Sequence, residues 1–263
     1  MIAITSINGF PLPMKMRMEA IRSAGFDSVL MWWGPDEKET RKERALAARD
    51  CGLAIENAHA TTDNLNLLWC DGEEGERTFS ELSAEIRDCV DAEISTLVLH
   101  LTNGSAPPEV GTVGMNRMER LIRIAEQENI RLAFENMRVP QHIDAVLSAF
   151  PSPVVGFCYD TGHENYWSRE RDWLQMYGQR LFAVHLHDNM GDRDAHLVPF
   201  DGCIDWNRKM RQLAAIGYSG ALAIESELHV NERYQHLDFG GFLAKALNAG
   251  KHLEQIFHEK TDL

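Results

Sequence analysis

The sequence predicts a single (β/α)8 barrel that spans residues 1–263. Short apolar runs rich in β-branched residues recur eight times, and stretches with apolar residues at helical spacing lie between them. Several of these stretches end in Gly or Asn just before the next apolar run, as helices do at a C-cap. Eight strands that alternate with helices indicate a closed parallel barrel. An open doubly wound sheet is the alternative, but no Gly-x-Gly-x-x-Gly turn follows the first run.

The predicted strands stay apolar along their length, as expected for strands that are covered on both faces. In chain order they are 2–5, 28–33, 53–59, 96–100, 131–136, 154–160, 181–187 and 221–226. The predicted helices are clearest at 36–52, 80–94 and 117–129. Turns with C-cap chemistry precede strands in AGFDSV, CGLAI, ENIRLAF and IGYSGALAI.

Composition limits the class of protein. A chain of 263 residues is long enough to bury a core without disulfides. Its five cysteines are odd in number and include no Cys-x-x-Cys pair, which is typical of reduced thiols in the cytoplasm. The sequence shows no signal peptide features and no apolar window of membrane-spanning length. The formal charge of −14 disfavours nucleic acid as a partner. We therefore expect a cytoplasmic protein with a small-molecule partner and no membrane contact.

Residues with metal-binding side chains stand at the ends of six consecutive predicted strands. In a barrel these C-terminal ends meet at the mouth that carries active sites, and the long loops 60–79, 101–116, 188–204 and 227–239 follow them. Imidazole and carboxylate together suit zinc, manganese, iron or cobalt, and clustered carboxylates without a cation would have to stay partly protonated. The strand-end residues are His59, His100, Glu135, Asp160, His163, His185, His187, Glu225 and Glu227.

The loop after the seventh strand adds Asp194 and His196 to this set, and it carries a further acid at Asp192. The other histidines fall elsewhere, and we expect surface positions without a functional role for them. They are His142, His252 and His258 in helical stretches, and His229 and His236 in the last loop.

From AGFDSVLMWWG to ALAIES the chain resembles the xylose-isomerase-like barrel superfamily, which includes sugar isomerases and epimerases and the endonuclease IV nucleases. The motifs that carry the resemblance are ENAHA, LVLH, LAFEN, YDTGHEN and VHLHDNMGDRDAHLVPFDGCIDW. The resemblance implies one shared metal ion on Glu135, Asp160, His185 and Glu225. The three-zinc arrangement of the endonuclease IV branch implies further ligands at His59, His100, His163, Asp194 and His196.

Two of these assignments stay open at this point. His187 could replace His185, because both side chains point the same way along a strand. Glu227 competes with Glu225 for the same reason. The cofactor implied is a divalent metal, with one to three ions of zinc, manganese or cobalt.

Two reactions are compatible with this ligand set. The first is a metal-dependent isomerase or epimerase of a sugar or sugar phosphate, with Glu135 and Glu225 as the catalytic proton carriers. The alternative is a phosphodiesterase like endonuclease IV, and a dehydratase or lyase is a third expectation. The resemblance is also compatible with a homo-oligomer. Expected substrate-binding residues for the first reaction are Arg193, His187, Trp32 and Trp33.

Overall fold

The computed structural model describes residues 1–7, 9, 11–36, 38–228 and 232–259, and it confirms the eight parallel strands. The strands are β1 Ile2–Thr5, β2 Ser28–Trp32, β3 Ala54–His59, β4 Thr96–Leu99, β5 Arg131–Glu135, β6 Val155–Asp160, β7 Leu181–His185 and β8 Leu222–Ile224. The helices are α1 Met14–Ala24, α2 Arg41–Asp50, α3 Glu73–Asp91, α4 Thr112–Glu128, α5 Gln141–Ala149, α6 Thr161–Trp167, α7 Trp173–Tyr177, α8 Trp206–Ala215 and α9 Phe239–His258. Short 3-10 helices lie at Leu65–Trp69, Gly178–Arg180 and Glu232–Tyr234.

The strands form one sheet in the order β7-β6-β5-β4-β3-β2-β1-β8, with each neighbouring pair parallel. A parallel bridge between Leu186 and Ile224 joins the two ends of this sheet. There the Leu186 N–H donates to the Ala223 carbonyl at 2.8 Å, and the Glu225 N–H donates to the Leu186 carbonyl at 3.1 Å. The ring is thereby closed, and the predicted barrel is confirmed.

The helix bounds differ from the predicted ones because local capping decides where a helix starts. The stretch predicted as helical from residue 36 becomes α2 only at Arg41, where Thr40 and Glu43 form a capping box. Conversely α3 starts at Glu73, well before the predicted 80, and its first turn carries three glutamates that favour a helix N-terminus.

The core has two parts. Small side chains fill the barrel interior, in clusters such as Val98, Ala133, Cys158 and Ala183. The larger core lies between strands and helices, where Phe26, Phe134 and Phe157 are fully buried. Small interior residues leave room at the barrel mouth for the polar side chains described next.

Among the described residues, no helix is long and apolar enough to cross a membrane.

Candidate metal centre

The C-terminal strand ends and one loop bring together the nine side chains expected as metal ligands. Among the described residues, eight of the nine form three groups together with His187, and within each group the ligating atoms lie within 4.8 Å of one another. His100 is in none of these groups and contacts Glu135 instead. The groups are His59, Glu135 and His185; Glu135, Asp160, His185 and Glu225; and His163, His187, Asp194 and His196. These side chains converge at the mouth of the barrel. Which of them would hold an ion stays a prediction.

Glu135, the last residue of β5, lies at the centre of the site and is fully buried. Its Oε2 is 3.3 Å from His59 Nε2, 3.2 Å from His100 Nε2 and 3.4 Å from His185 Nδ1. Its Oε1 is 3.2 Å from His163 Nδ1. One carboxylate thus faces four imidazoles, an arrangement in which it could bridge two ions.

The second group stands beside Glu135 on β6, β7 and the residue after β8. His185 Nδ1 is 3.3 Å from Glu225 Oε2, and both atoms face the carboxylate of Glu135. Asp160 caps α6, because its Oδ1 accepts the His163 N–H at 2.6 Å. Asn136, in the LAFEN motif, ties β5 to β6 by donating to the Asp160 carbonyl at 2.8 Å and accepting the Asp160 N–H at 2.7 Å. Sequence reasoning assigned no role to Asn136.

The third group includes residues from the loop after β7. Asp194 Oδ2 is 3.3 Å from His163 Nε2, and Asp194 Oδ1 is 3.5 Å from His196 Nε2. The loop therefore folds back over the mouth, as expected if Asp194 and His196 supply ligands there.

Three histidines are oriented by backbone carbonyls. Nδ1 of His59 lies 2.9 Å from the Ala60 carbonyl, Nδ1 of His163 lies 3.0 Å from the Asn136 carbonyl, and Nδ1 of His196 lies 2.8 Å from the Glu225 carbonyl. A neutral ring with its proton on Nδ1 turns the Nε2 lone pair toward the facing carboxylate. Two acceptors at such a distance need a proton or a metal ion between them, and the contact of Nδ1 with a carbonyl is typical of metal-binding histidines.

Buried polar atoms without hydrogen-bond partners concentrate in the same place. Among the described residues they include Glu135 Oε1, Asp160 Oδ2, Asp194 Oδ1 and both ring nitrogens of His185. Unsatisfied buried polar groups are costly, and a divalent cation would satisfy these. The donor set of imidazoles and carboxylates fits zinc, manganese or cobalt.

In the ion-free site, protons on histidines balance the negative charge of the carboxylates. Burial opposes ionisation of Glu135, but His185 and His100 hold its pKa well below the usual range. Burial opposes protonation of His196, yet Asp194 and Glu225 raise its pKa to about 10. Burial also opposes protonation of His163, yet Asp160, Asp194 and Glu135 raise its pKa well above 6.5.

We expect the ion-free protein to lose stability as the pH rises. A histidine whose folded pKa is about 10 against an ordinary 6.5 stabilises the fold fully below pH 6.5, and this stabilisation disappears as the pH rises through 10. Melting temperatures of chelator-treated protein should therefore fall by several degrees between pH 6.5 and 10. Protein loaded with a divalent ion should change little over that range, because the ion replaces the protons. Equal slopes with and without ion would contradict this.

A pocket of about 200 Å³ opens above these groups. Its rim is apolar on the sides formed by Ile7, Leu30, Trp32 and Met137. The ring of Trp32 stacks on His59 with 5.8 Å between centroids. The pocket can therefore accept a small molecule that presents polar groups to the strand ends and an apolar face to the rim.

Trp167 is a pocket residue that sequence reasoning missed. Its ring stacks on His163 with centroids 4.5 Å apart and an interplanar angle of 29°. The two residues are four apart on α6 and so share one face of the helix. The four-residue spacing of His and Trp in HENYW already indicates in the sequence that the two side chains share a helix face.

Trp33 and Arg193 do not line this pocket, and their role in binding substrate stays a prediction. Trp33 is fully buried outside the barrel, where its Nε1 donates to the Glu85 carbonyl at 3.1 Å. Consecutive strand residues point to opposite faces, so only Trp32 reaches the pocket. Arg193 lines a separate cavity together with Ala195 and Leu197, on the other side of the loop from Asp194 and His196.

His187 does not line the pocket either, and its role in binding substrate also stays a prediction. It is fully buried, with Nε2 3.1 Å from Asp160 Oδ1. Its ring lies parallel to that of His196, with centroids 4.0 Å apart and an angle of 8°. His185 Nδ1 contacts both Glu135 and Glu225, and these three residues share a ligand group with Asp160, whereas no ligand group among the described residues includes Glu227. Which residue of each pair would hold an ion stays a prediction.

The remaining histidines divide in two. His142 was expected at the surface and is instead buried, where its Nε2 contacts the Pro108 carbonyl at 2.8 Å and its ring packs on Trp69. His236, His252 and His258 are exposed as expected, and His229 lies outside the described residues.

Comparison with known proteins gives matches in family, sequence and structure. The model of the xylose isomerase-like TIM barrel family matches residues 18–239. An uncharacterised protein of Sinorhizobium fredii is 36% identical over 112 residues, which are 42% of this chain and 35% of that protein. Inosose dehydratase of Clostridium beijerinckii is 28% identical over 138 residues, 43% of this chain and 45% of the dehydratase. These matches cover less than half the length of either relative.

Solved structures share the fold over nearly the whole chain. A D-tagatose 3-epimerase-like protein has a TM-score of 0.76 at 20% identity, with 98% of each chain covered. D-psicose 3-epimerase of Clostridium cellulolyticum has a TM-score of 0.79 at 14% identity, with 97% of this chain and 98% of the epimerase covered. At these identities the likeness is one of fold.

Proposed function

The chain belongs to the xylose isomerase-like TIM barrel family, and from this premise we propose that it is a divalent-metal-dependent isomerase or epimerase of a small sugar. The observation that carries the proposal is the pair Glu135 and Glu225, which both line the pocket and both flank His185 Nδ1, at 3.4 and 3.3 Å. Solved structures of sugar epimerases share the fold, which supports the proposed isomerase or epimerase activity.

The proposed metal ligands are those of the group formed by Glu135, Asp160, His185 and Glu225, whose unsatisfied atoms fit an ion. A bound divalent ion supplies Lewis acidity that polarises a substrate carbonyl. His59 and His100 contact the carboxylate of Glu135 from the other side and keep it in place.

Proton transfer is the role proposed for the two glutamates. Burial opposes their ionisation, but neighbouring histidines lower the pKa of each below its usual range, so each is a carboxylate at neutral pH. One carboxylate takes the proton from the carbon beside the carbonyl, which leaves an enediol-like intermediate. The other glutamate first takes a proton from solvent water, and its carboxyl group then delivers that proton to the opposite face of the intermediate, which inverts the carbon. The first glutamate releases its proton to solvent, so both are carboxylates again and no net proton is consumed.

The pocket favours a sugar without a phosphate. Within the described part of the chain, its lining includes no lysine or arginine but four acidic residues: Glu135, Asp194, Glu225 and Glu227. A phosphate group would need cationic partners there. The rings of Trp32 and Trp167 instead offer apolar surface to the C–H face of a neutral sugar.

We expect the protein to exchange a carbon-bound proton of a neutral ketose with solvent. Purified protein with Mn2+, Co2+ or Zn2+ would be incubated in D2O with a panel of ketopentoses and ketohexoses and with their phosphates. Proton NMR should show deuterium at the carbon next to the carbonyl. Phosphorylated sugars should react at least about tenfold more slowly, because the described lining of the pocket has four acids and no lysine or arginine to bind a phosphate. No exchange with any sugar would refute the proposed reaction.

A phosphodiesterase is the second candidate, favoured by the third ligand group of His163, Asp194 and His196. The acidic pocket and the charge of −14 oppose a nucleic acid substrate. Nicking of duplex DNA at an abasic site, without any sugar exchange, would reverse this preference. A product lighter than the sugar by one water would instead indicate a dehydratase.

A further inference from the structure

Asp188 is a fully buried acid within the histidine-rich segment that has no place in the proposed chemistry. It does not line the pocket, and it belongs to none of the three ligand groups found among the described residues. Its nearest sequence neighbours in the site are His187, one residue before it, and Asp194 on the loop that follows.

The carboxylate of Asp188 accepts four hydrogen bonds from that loop. Oδ1 accepts the Asn189 N–H at 2.9 Å and the Ile204 N–H at 3.2 Å. Oδ2 accepts the Phe200 N–H at 3.1 Å and the indole N–H of Trp206 at 2.8 Å. All four donors are neutral and lie between residues 189 and 206. The single carboxylate of Asp188 therefore binds both ends and the middle of the loop. Hydrogen bonds to an ionised acceptor are stronger than neutral ones.

The backbone of Asp188 fixes the return of the chain. Its N–H donates to the Leu197 carbonyl at 2.8 Å, and the Leu197 N–H donates to the Asp188 carbonyl at 2.9 Å. Gly202 completes the arrangement, because a Cβ there would lie 2.1 Å from Asp188 Oδ1. The loop can close this tightly only with glycine at that position.

We propose that Asp188 is a positioning residue whose buried carboxylate folds loop 189–206 and thereby holds Asp194 and His196 against His163. The site then consists of two separable parts. The strand ends supply Glu135 and its neighbours without help from the loop, whereas Asp194 and His196 depend on Asp188. The inference extends the proposed function, since it concerns residues of the same site.

Asp188→Asn tests the proposal, with Asp192→Asn as the matched control. Asn keeps the shape but loses the charge, and its NH2 faces N–H donors that then lack an acceptor. Asp192 is an exposed acid in the same loop and takes no part in these bonds. In ion-free protein, we expect hydrogen exchange of peptides within 189–206 to be at least about tenfold faster in Asp188→Asn. Peptides from the barrel strands should exchange as in the wild type, and Asp192→Asn should be unchanged.

Two further readouts follow the positioned residues themselves. Diethyl pyrocarbonate should modify His196 faster in Asp188→Asn, with exposed His252 as the internal reference. In Co2+ titrations the variant should lose the binding step of the loop group and keep that of the strand-end group. If Asp188→Asn does not fold, Gly202→Ala disturbs the same contact and should give the same three results.

The outcomes separate this inference from the proposed function. Wild-type exchange of 189–206 and wild-type labelling of His196 in both variants would overturn the role of Asp188, whatever the protein catalyses. Wild-type protein that binds no Co2+ would count against the proposed function, and the exchange and labelling results would still decide the role of Asp188.

Discussion

Glu135→Gln is expected to lower sugar exchange by roughly 10³-fold or more, the upper part of the range for a lost general acid–base group. Glutamine cannot take up a proton. It would also place an amide where Oε2 now faces His59, His100 and His185 within 3.4 Å. The rate constant for deuterium incorporation into the best ketose, measured with saturating metal, gives the result directly.

Glu81→Gln is the matched control, because Glu81 is exposed on α3 and undergoes the same chemical change. It should exchange substrate at the wild-type rate. Circular dichroism would establish that both variants fold. A folded Glu135→Gln protein with more than about a tenth of wild-type turnover would exclude Glu135 as a proton carrier, since general acid–base groups contribute at least about 100-fold.

Removal of divalent ions is expected to abolish exchange and to lower the melting temperature by roughly 5 °C or more. A ligand at about 100 times its Kd stabilises the folded state by about 2.7 kcal/mol, and a protein of this size shifts by about 2–4 °C per kcal/mol. The physical reason is the loss of the cation that satisfies Glu135, Asp160 and His185, whose buried atoms otherwise lack partners. Dialysis against a chelator, followed by calorimetry and metal analysis, makes the measurement.

Adding back Mn2+, Co2+ or Zn2+ should restore both activity and melting temperature, which controls for irreversible damage by the chelator. Mg2+ should restore less, because it prefers oxygen ligands in octahedral geometry and this site is rich in imidazole. Full activity in protein shown by elemental analysis to be free of metal would contradict the proposed mechanism.

Much of the site could be predicted from sequence because it follows from topology. In a parallel barrel every strand ends at the same mouth, so Glu135 at the end of β5 and Asp160 at the end of β6 had to lie close together whatever the details of packing. Cys158, two residues before Asp160 on the same strand, is buried in the barrel interior.

The differences between the predicted and the observed surroundings of residues concern the direction of side chains. Trp32 and Trp33 are neighbours in sequence, yet one reaches the pocket and the other packs against Glu85. His142 was expected at the surface, and its contacts with the distant Pro108 carbonyl and the ring of Trp69 explain its burial.

The barrel and the residue types at its mouth could therefore be predicted from the pattern of residues, since alternating apolar strands and helices admit few topologies. The roles of the loop's acids became visible only in the folded chain. Asp188 and Asp194 are six residues apart in one segment, but the first accepts four hydrogen bonds inside the loop and the second faces His163. That division depends on where Phe200, Ile204 and Trp206 return in space, and contacts between distant parts of a chain do not appear in the local pattern of residues.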